Sequence, residues 1–263
     1  MICFLTHRPS KRAYGFAKQL LKVTGEKVSM VVDDCDYEVP YLEEDILPVI
    51  KIDRDECEKA GYRATVSWSE GRAYSRDKAL YYFNVKNPID EDIWFIEDDV
   101  FIPSYYTLDM INRKYADEKY DLLSANHCIG RNPQDDIDLE NWYWKSYVDK
   151  FCPYPDPLAS SMICAMRCSR KLLDAVHSHA CTYGCLFMDE VFFNTLCLKK
   201  GLNVGVIEEL KYITWSRGFS PNNIKRTHLY HPVKSDMQHD FYRTEYKKNK
   251  IKQYMTALGV AYE

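Results

Sequence analysis

Glu97, Asp98 and Asp99 end the apolar run Asp92-Ile93-Trp94-Phe95-Ile96, and the chain turns apolar again at once with Val100-Phe101-Ile102-Pro103. Burying three consecutive carboxylates is very costly unless something cationic offsets them. A hard divalent ion meets that need, because Mg²⁺ or Mn²⁺ takes oxygen ligands and bridges carboxylates to phosphate oxygens. The run before the acids has β-branched and aromatic residues and no helical stripe, so it reads as a strand buried on both faces. The triplet is therefore expected at the carboxyl edge of an α/β sheet, where such folds place their ligands. A solvated acidic turn is the plainer alternative, but Val100-Phe101-Ile102 resumes burial instead of opening a polar loop.

The elements that must position this triplet follow from periodicity. Residues 2–6 read as a strand, and residues 11–23 carry Tyr14, Phe16, Ala17, Leu20 and Leu21 at helical spacing, closed by Gly25. Lys27 to Val32 reads as a second strand ending in Asp33-Asp34, which makes a βαβ opening. It lacks a G-x-G-x-x-G turn, which argues against a dinucleotide site. A third strand is expected over 47–52, a helix over 70–84, the acid-tipped strand over 92–97 and a helix from Ser104 to about residue 115. Strands near 121–125, 160–166 and 204–207 and helices near 169–178 and 188–200 complete the pattern. Residues 130–158 are looser, with Pro133, Asp135, Asp136 and Asp138 ahead of Trp142, Tyr143 and Trp144. From about residue 219 the chain reads as a polar, basic tail.

Composition narrows the class. The chain has 263 residues, 46% hydrophobic and 28% charged, with a net charge of −4. That is ordinary for a soluble globular protein and argues against a nucleic-acid binder that works by neutralising phosphates. No apolar run approaches a membrane span, and Ile2-Cys3-Phe4-Leu5 is too short for a signal core, so a cytoplasmic location is expected. The ten cysteines are then expected as reduced thiols. Cys164-x3-Cys168 and Cys181-x3-Cys185, with His177 and His179 between them, can be drawn as a zinc site. Structural zinc pairs are usually tighter, and Cys164 falls in a segment that reads as core.

The βαβ start with acids after its second strand, the strand ending in Glu97-Asp98-Asp99 and the later Asp189-Glu190 opening a helix together resemble a GT-A fold glycosyltransferase. Glu97-Asp98-Asp99-Val100 is similar to the Glu-Asp-Asp-Leu form of the Asp-x-Asp motif in eukaryotic N-acetylglucosaminyltransferases. With Ser75-Arg76-Asp77-Lys78-Ala79-Leu80 and His231-Pro232-Val233-Lys234, the whole pattern also resembles transferases of protists, algae and their large DNA viruses. The resemblance implies one α/β domain with a mixed central sheet flanked by helices. Residues 1–126 would be its nucleotide-sugar half, and residues 127–263 its acceptor and catalytic-base half.

It further implies that Asp99 holds Mn²⁺ (or Mg²⁺) against the donor diphosphate, with Glu97 and Asp98 reaching the ribose or the metal's water shell. Asp33 and Asp34 would hydrogen-bond the uracil or ribose of a UDP-sugar, although an Asx turn explains them equally well. Arg76 and Lys78 can meet diphosphate oxygens, or simply lie on a solvated helix face. His231 would return late in the chain as a ligand to metal or diphosphate, with Lys234 then facing the diphosphate. Of the helix-opening acids, which the helix dipole favours in any case, Asp189 would be the general base and Glu190 the second choice. Trp142, Tyr143, Trp144 and Trp215 are candidates for stacking on sugar faces.

The expected activity is thus a metal-dependent, inverting transfer from a nucleotide-sugar to a glycan or glycoprotein hydroxyl. One rival is a catalytically silent nucleotide- or sugar-binding module of the same fold. Another is a metal-dependent phosphodiesterase or nuclease, which the lack of a basic groove signature disfavours.

Overall fold

Near-continuous apolar runs at 2–6, 28–32 and 93–97 suit strands buried on both faces, and that is where the chain places them. The computed structural model describes residues 1–38, 47–64, 71–133, 137–215 and 218–257. Its first elements are β1 (Ile2–Thr6), α1 (Lys11–Thr24), β2 (Val28–Val32), β3 (Val49–Lys51), α2 (Arg54–Lys59), α3 (Ser75–Tyr81) and β4 (Ile93–Glu97). Then come α4 (Thr107–Lys114), β5 (Leu122–Ser124), β6 (Cys128–Ile129), α5 (Lys145–Phe151), β7 (Ala159–Ser160), β8 (Ala165–Cys168) and α6 (Arg170–Tyr183). The rest are α7 (Asp189–Lys200), β9 (Val204–Val206), β10 (Tyr212–Ile213), β11 (Tyr230–His231) and α8 (Asp236–Ala257).

Seven strands form one mixed sheet in the order β3-β2-β1-β4-β8-β5-β9. The first four are parallel, β8 runs antiparallel to both β4 and β5, and β9 is parallel to β5. Reversing β8 brings the start of a late strand to the edge where β1, β2 and β4 finish. Glu97 therefore donates its backbone N–H to the Cys164 carbonyl at 2.9 Å. One core cluster joins Phe95, Met166 and Leu173 with Phe192, and another joins Phe4, Trp94, Ile96 and Ile111. The sheet is covered by helices, as its apolar strands require.

Local signals explain the helix ends. Ser10 caps α1 by accepting from Ala13 N–H, and Gly25 closes it in the left-handed conformation. Gly61 is required twice over: its φ is +84°, and a Cβ there would collide with the Ala180 carbonyl of α6.

The helix expected over 70–84 starts later, at Ser75, where the Asp77 carboxylate accepts from Tyr74 N–H at 2.9 Å; residue 70 lies outside the described residues. A π-helical turn, Tyr82–Lys86, extends it.

The basic tail expected after residue 219 contains a 22-residue helix, α8. It buries only His239 and Tyr246 along its length, so it has little apolar stripe to betray it. No described helix is long and apolar enough to cross a membrane.

Candidate functional site

Three strand ends meet at one edge. β1 ends in Thr6, β2 runs into Asp33-Asp34, and β4 runs into Glu97-Asp98-Asp99. Backbone bonds hold them in step: Asp33 N–H donates to the Thr6 carbonyl at 3.0 Å and Asp98 N–H to the Leu5 carbonyl at 3.1 Å.

The three acids of the triplet differ in environment. Asp98 turns inward and accepts from the Thr6 hydroxyl. Burial raises its pKa, Thr6 opposes that, and the charges of Asp99 and Glu97 add to the rise.

Asp99 faces His231 Nε2 at 3.3 Å and is ion-paired with Lys234. Burial pushes its carboxyl up, but hydrogen bonds and charge from His231 and then Lys234 bring it down to about 2. Its Oδ1 is buried and has no hydrogen-bond partner among the described residues.

Late-chain residues reach this point because strand-like bonds stitch them in. Phe101 and Tyr230 exchange backbone bonds at 2.8 and 3.2 Å, and Val233 N–H donates to the Asp99 carbonyl at 2.9 Å. His231 is buried, and its Nδ1 lies 2.6 Å from the Thr214 carbonyl. A carbonyl only accepts, so Nδ1 carries the hydrogen and Nε2 is left towards Asp99. A backbone carbonyl behind the ring is the arrangement that orients metal-binding histidines.

Glu97 belongs to a second cluster. The buried Arg76 guanidinium bridges Glu97 and Asp189 and also reaches the Ile163 carbonyl at 3.4 Å. One side chain of α3 thereby ties the end of β4 to the start of α7. Burial pushes the Asp189 carboxyl up, with Arg76 pulling it down and Glu97 pushing it up again. Asp189 Oδ1 also accepts from Glu190 N–H at 2.9 Å. Glu190 itself is buried, and its carbonyl accepts from Ser161 N–H at 2.8 Å. Asp189, with Arg76, Glu97, Ser75 and Tyr74, lines a cavity of about 180 Å³.

Lys78 is on neither a solvated face nor an open phosphate site. It is fully buried, and its Nζ donates to Asp33 Oδ1 at 2.7 Å and to the Asp33 carbonyl at 2.8 Å. Burial raises the Asp33 pKa, but Lys78, Arg54 and His7 together hold it below the ordinary carboxylate value. Asp34 makes the Asx turn anticipated as its alternative, accepting from Asp36 N–H at 2.9 Å, and it pairs with Arg8 at 2.7 Å. Both acids line a polar cavity of about 510 Å³ with His7, Arg54 and Arg72.

Cys164, whose sequence surroundings read as core, is buried and lies at this same edge. A Glu97 carboxylate oxygen, the Cys164 sulfur and a His231 ring nitrogen all lie within 4.8 Å of one another. Nothing local flags it, since its place depends on β8 pairing antiparallel beside β4. The zinc site drawn from both cysteine pairs does not form: among the described residues this trio is the one set of three such donors gathered this closely, and all ten cysteines are free.

Of the aromatic set, Trp142 is buried, Trp144 packs between Tyr143 and Tyr147, and Tyr143 and Trp215 are exposed. Asp135 and Asp136 lie outside the described residues.

The residues present suit a divalent ion. Asp99 offers a buried, unpartnered oxygen, His231 offers a nitrogen freed by Thr214, and Glu97 lies within reach. No protein-family model matches the sequence, and no curated protein matches it. Among solved structures, the chain is similar to an active-site mutant of LgtC at 12% identity and a TM-score of 0.47, covering 94% of this chain and 95% of that one. It is also similar to mouse xyloside xylosyltransferase 1 in its apo form, at 11% identity and a TM-score of 0.39, covering 80% and 86% respectively. Likenesses at this distance leave the chemistry to the residues themselves.

Proposed function

We propose that this chain is a metal-dependent glycosyltransferase that moves a sugar, with inversion, from a nucleotide-sugar donor to a hydroxyl of a glycan or glycoprotein. The donor we infer is a UDP-sugar. The observation that carries this reading is the convergence on one sheet edge of Glu97-Asp98-Asp99, His231 with Lys234, and an Asp189 joined to the triplet through Arg76. Carboxylates that need a cation and a separate carboxylate raised by burial are what phosphate capture and proton removal require.

In this reading Asp33, braced by Lys78, and Asp34 receive the nucleoside in the larger cavity. Asp99 and His231 would hold Mn²⁺ or Mg²⁺, with Glu97 close by. The ion, when bound, supplies positive charge that stabilises the leaving diphosphate. Lys234 adds a fixed cation beside Asp99, and Arg76 keeps Glu97 and Asp189 in a fixed relation. Asp189 takes the proton of the attacking hydroxyl. Burial raises its affinity for that proton, and each of its oxygens has a second lone pair beyond the bond it already accepts. Glu190, turned into the protein, supports the helix start instead.

A panel of nucleotide sugars, assayed for hydrolysis with Mn²⁺ and with chelator, tests the proposal. UDP-sugar turnover that chelation stops is expected. A panel in which no nucleotide sugar binds or turns over, with the chain folded, would sink it. Product NMR showing retention at the anomeric carbon would overturn the inverting step.

A further inference from the structure

We propose that Cys164 is a direct metal donor, so that with Glu97 and His231 it makes a mixed oxygen, sulfur and nitrogen site selective for a borderline-soft ion such as Zn²⁺ or Co²⁺ over Mg²⁺. The donor atoms of the three residues lie within 4.8 Å of one another, a spacing one ion can bridge. Each is fixed by a different part of the fold. Glu97 ends β4 and is held by Arg76, and Cys164 precedes β8 and receives the Glu97 backbone bond at 2.9 Å. His231 is locked through Nδ1 to the Thr214 carbonyl at 2.6 Å, which presents its other nitrogen. Cys164 and His231 are buried, so their donors are removed from competing water.

Ligand type decides which ion such a site prefers. Mg²⁺ asks for an octahedron of oxygens and keeps its waters, whereas thiolate and imidazole favour Zn²⁺ and its neighbours. A site of Asp99 and His231 alone would carry only the imidazole's share of this bias, so the sulfur strengthens the expected preference. The donor set is read from geometry alone and stands whether or not a sugar is transferred at this edge.

Co²⁺ titration of the full metal-free chain tests it. Burial keeps the Cys164 thiol protonated in the metal-free chain, so binding must release its proton to solvent, and the wild type should then develop a thiolate-to-cobalt charge-transfer band. Cys164→Ser should lose the band and bind Co²⁺ roughly 10–100-fold more weakly, at least the range that removing a metal ligand's outer partner costs. Its preference for Co²⁺ over Mn²⁺ should narrow with it. Cys181→Ser is the control, because Cys181 sits 3.7 Å from His177 on α6 and could take up cobalt by itself; that variant should keep the band.

X-ray absorption of the Zn²⁺-loaded wild type needs no variant, and it should find a sulfur scatterer at about 2.3 Å. No band in the wild type, a band that survives Cys164→Ser, or one lost in Cys181→Ser would each overturn the proposal. Mn²⁺-dependent donor turnover without a sulfur ligand would refute Cys164 and leave the glycosyltransferase reading intact. A sulfur ligand without any donor turnover would do the reverse.

Discussion

Lys78→Met should destabilise the folded chain by about 3 kcal/mol at neutral pH. Lys78 is fully buried, and its ammonium lies 2.7 Å from one Asp33 oxygen and 2.8 Å from the Asp33 carbonyl. Methionine fills much of the same space, so the loss is electrostatic and not a cavity. Removing one member of a buried pair typically costs roughly 3–5 kcal/mol, because the other charge is left behind. Arg54 at 3.3 Å and His7 at 3.4 Å still face Asp33, which places this case at the lower end. For a chain of this size that corresponds to a fall in Tm of roughly 6–12 °C.

Urea unfolding at constant m would measure it, and the pH dependence provides a second check. Asp33 is held below its ordinary value, so its pairing stabilises the fold above the unfolded pKa, and that contribution is lost as pH falls through the lowered one. The gap between wild type and Lys78→Met should therefore shrink in acid. Asp33→Asn in the Lys78→Met background should recover part of the loss, giving a coupling energy from the double-mutant cycle. A gap below about 1 kcal/mol, or one unchanged between pH 7 and acid, would refute the pair as the source of stability.

Asp99→Ala should abolish metal-dependent UDP binding by calorimetry while the fold survives, since the Lys234 that it leaves behind is exposed enough for water to take the carboxylate's place; unchanged affinity would remove Asp99 from the metal site. Asp189→Asn should leave donor binding near normal and slow transfer by roughly 10²–10⁴, with Glu190→Gln affecting stability more than turnover. If Glu190→Gln is the dead variant, the base is one residue along. His239→Phe should flatten the loss of stability in acid. Burial pushes the His239 pKa down to about 3, with Arg12 and Arg243 pushing the same way and Asp236 opposing. Between its ordinary value and about 3 the unfolded chain therefore binds a proton that the folded one refuses. Urea midpoints at pH 7 and pH 4 should converge in the variant relative to wild type.

Much of the sheet was legible because buried strands and capped helices leave local marks. The run before Glu97, the Ser10 and Gly25 caps of α1 and the acids opening α7 can all be read one residue after another. The missing parts are those fixed by distant pairing. α8 has too little apolar stripe to show a period, and α2 is only six residues long. Cys164 looks like core because it is core; only the antiparallel insertion of β8 beside β4 sets its sulfur near Glu97 and His231. Lys78 shows the same limit from the other side. A lysine in a helix reads as solvated, and no short-range signal says that it points at a carboxylate two strands away in chain order.

The same pairing explains why this edge tolerates so many acids. Glu97, Asp99 and Asp189 converge at one place, and each has a cation beside it: Arg76 serves Glu97 and Asp189, while Lys234 serves Asp99. Arg76 can serve two because its guanidinium is planar and forked, presenting separate nitrogens to the two carboxylates; a lysine point charge would have to choose. Helix α3 thus couples an acid from the middle of the chain to one that begins a late helix. Arg76 ties α3 to Glu97 and Asp189 together, and Lys78, two residues on, ties it to Asp33 as well. On the proposed reading, the groups that would meet phosphate, nucleoside and the attacking hydroxyl are thereby positioned by one helix, which fixes their geometry more closely than loops alone do.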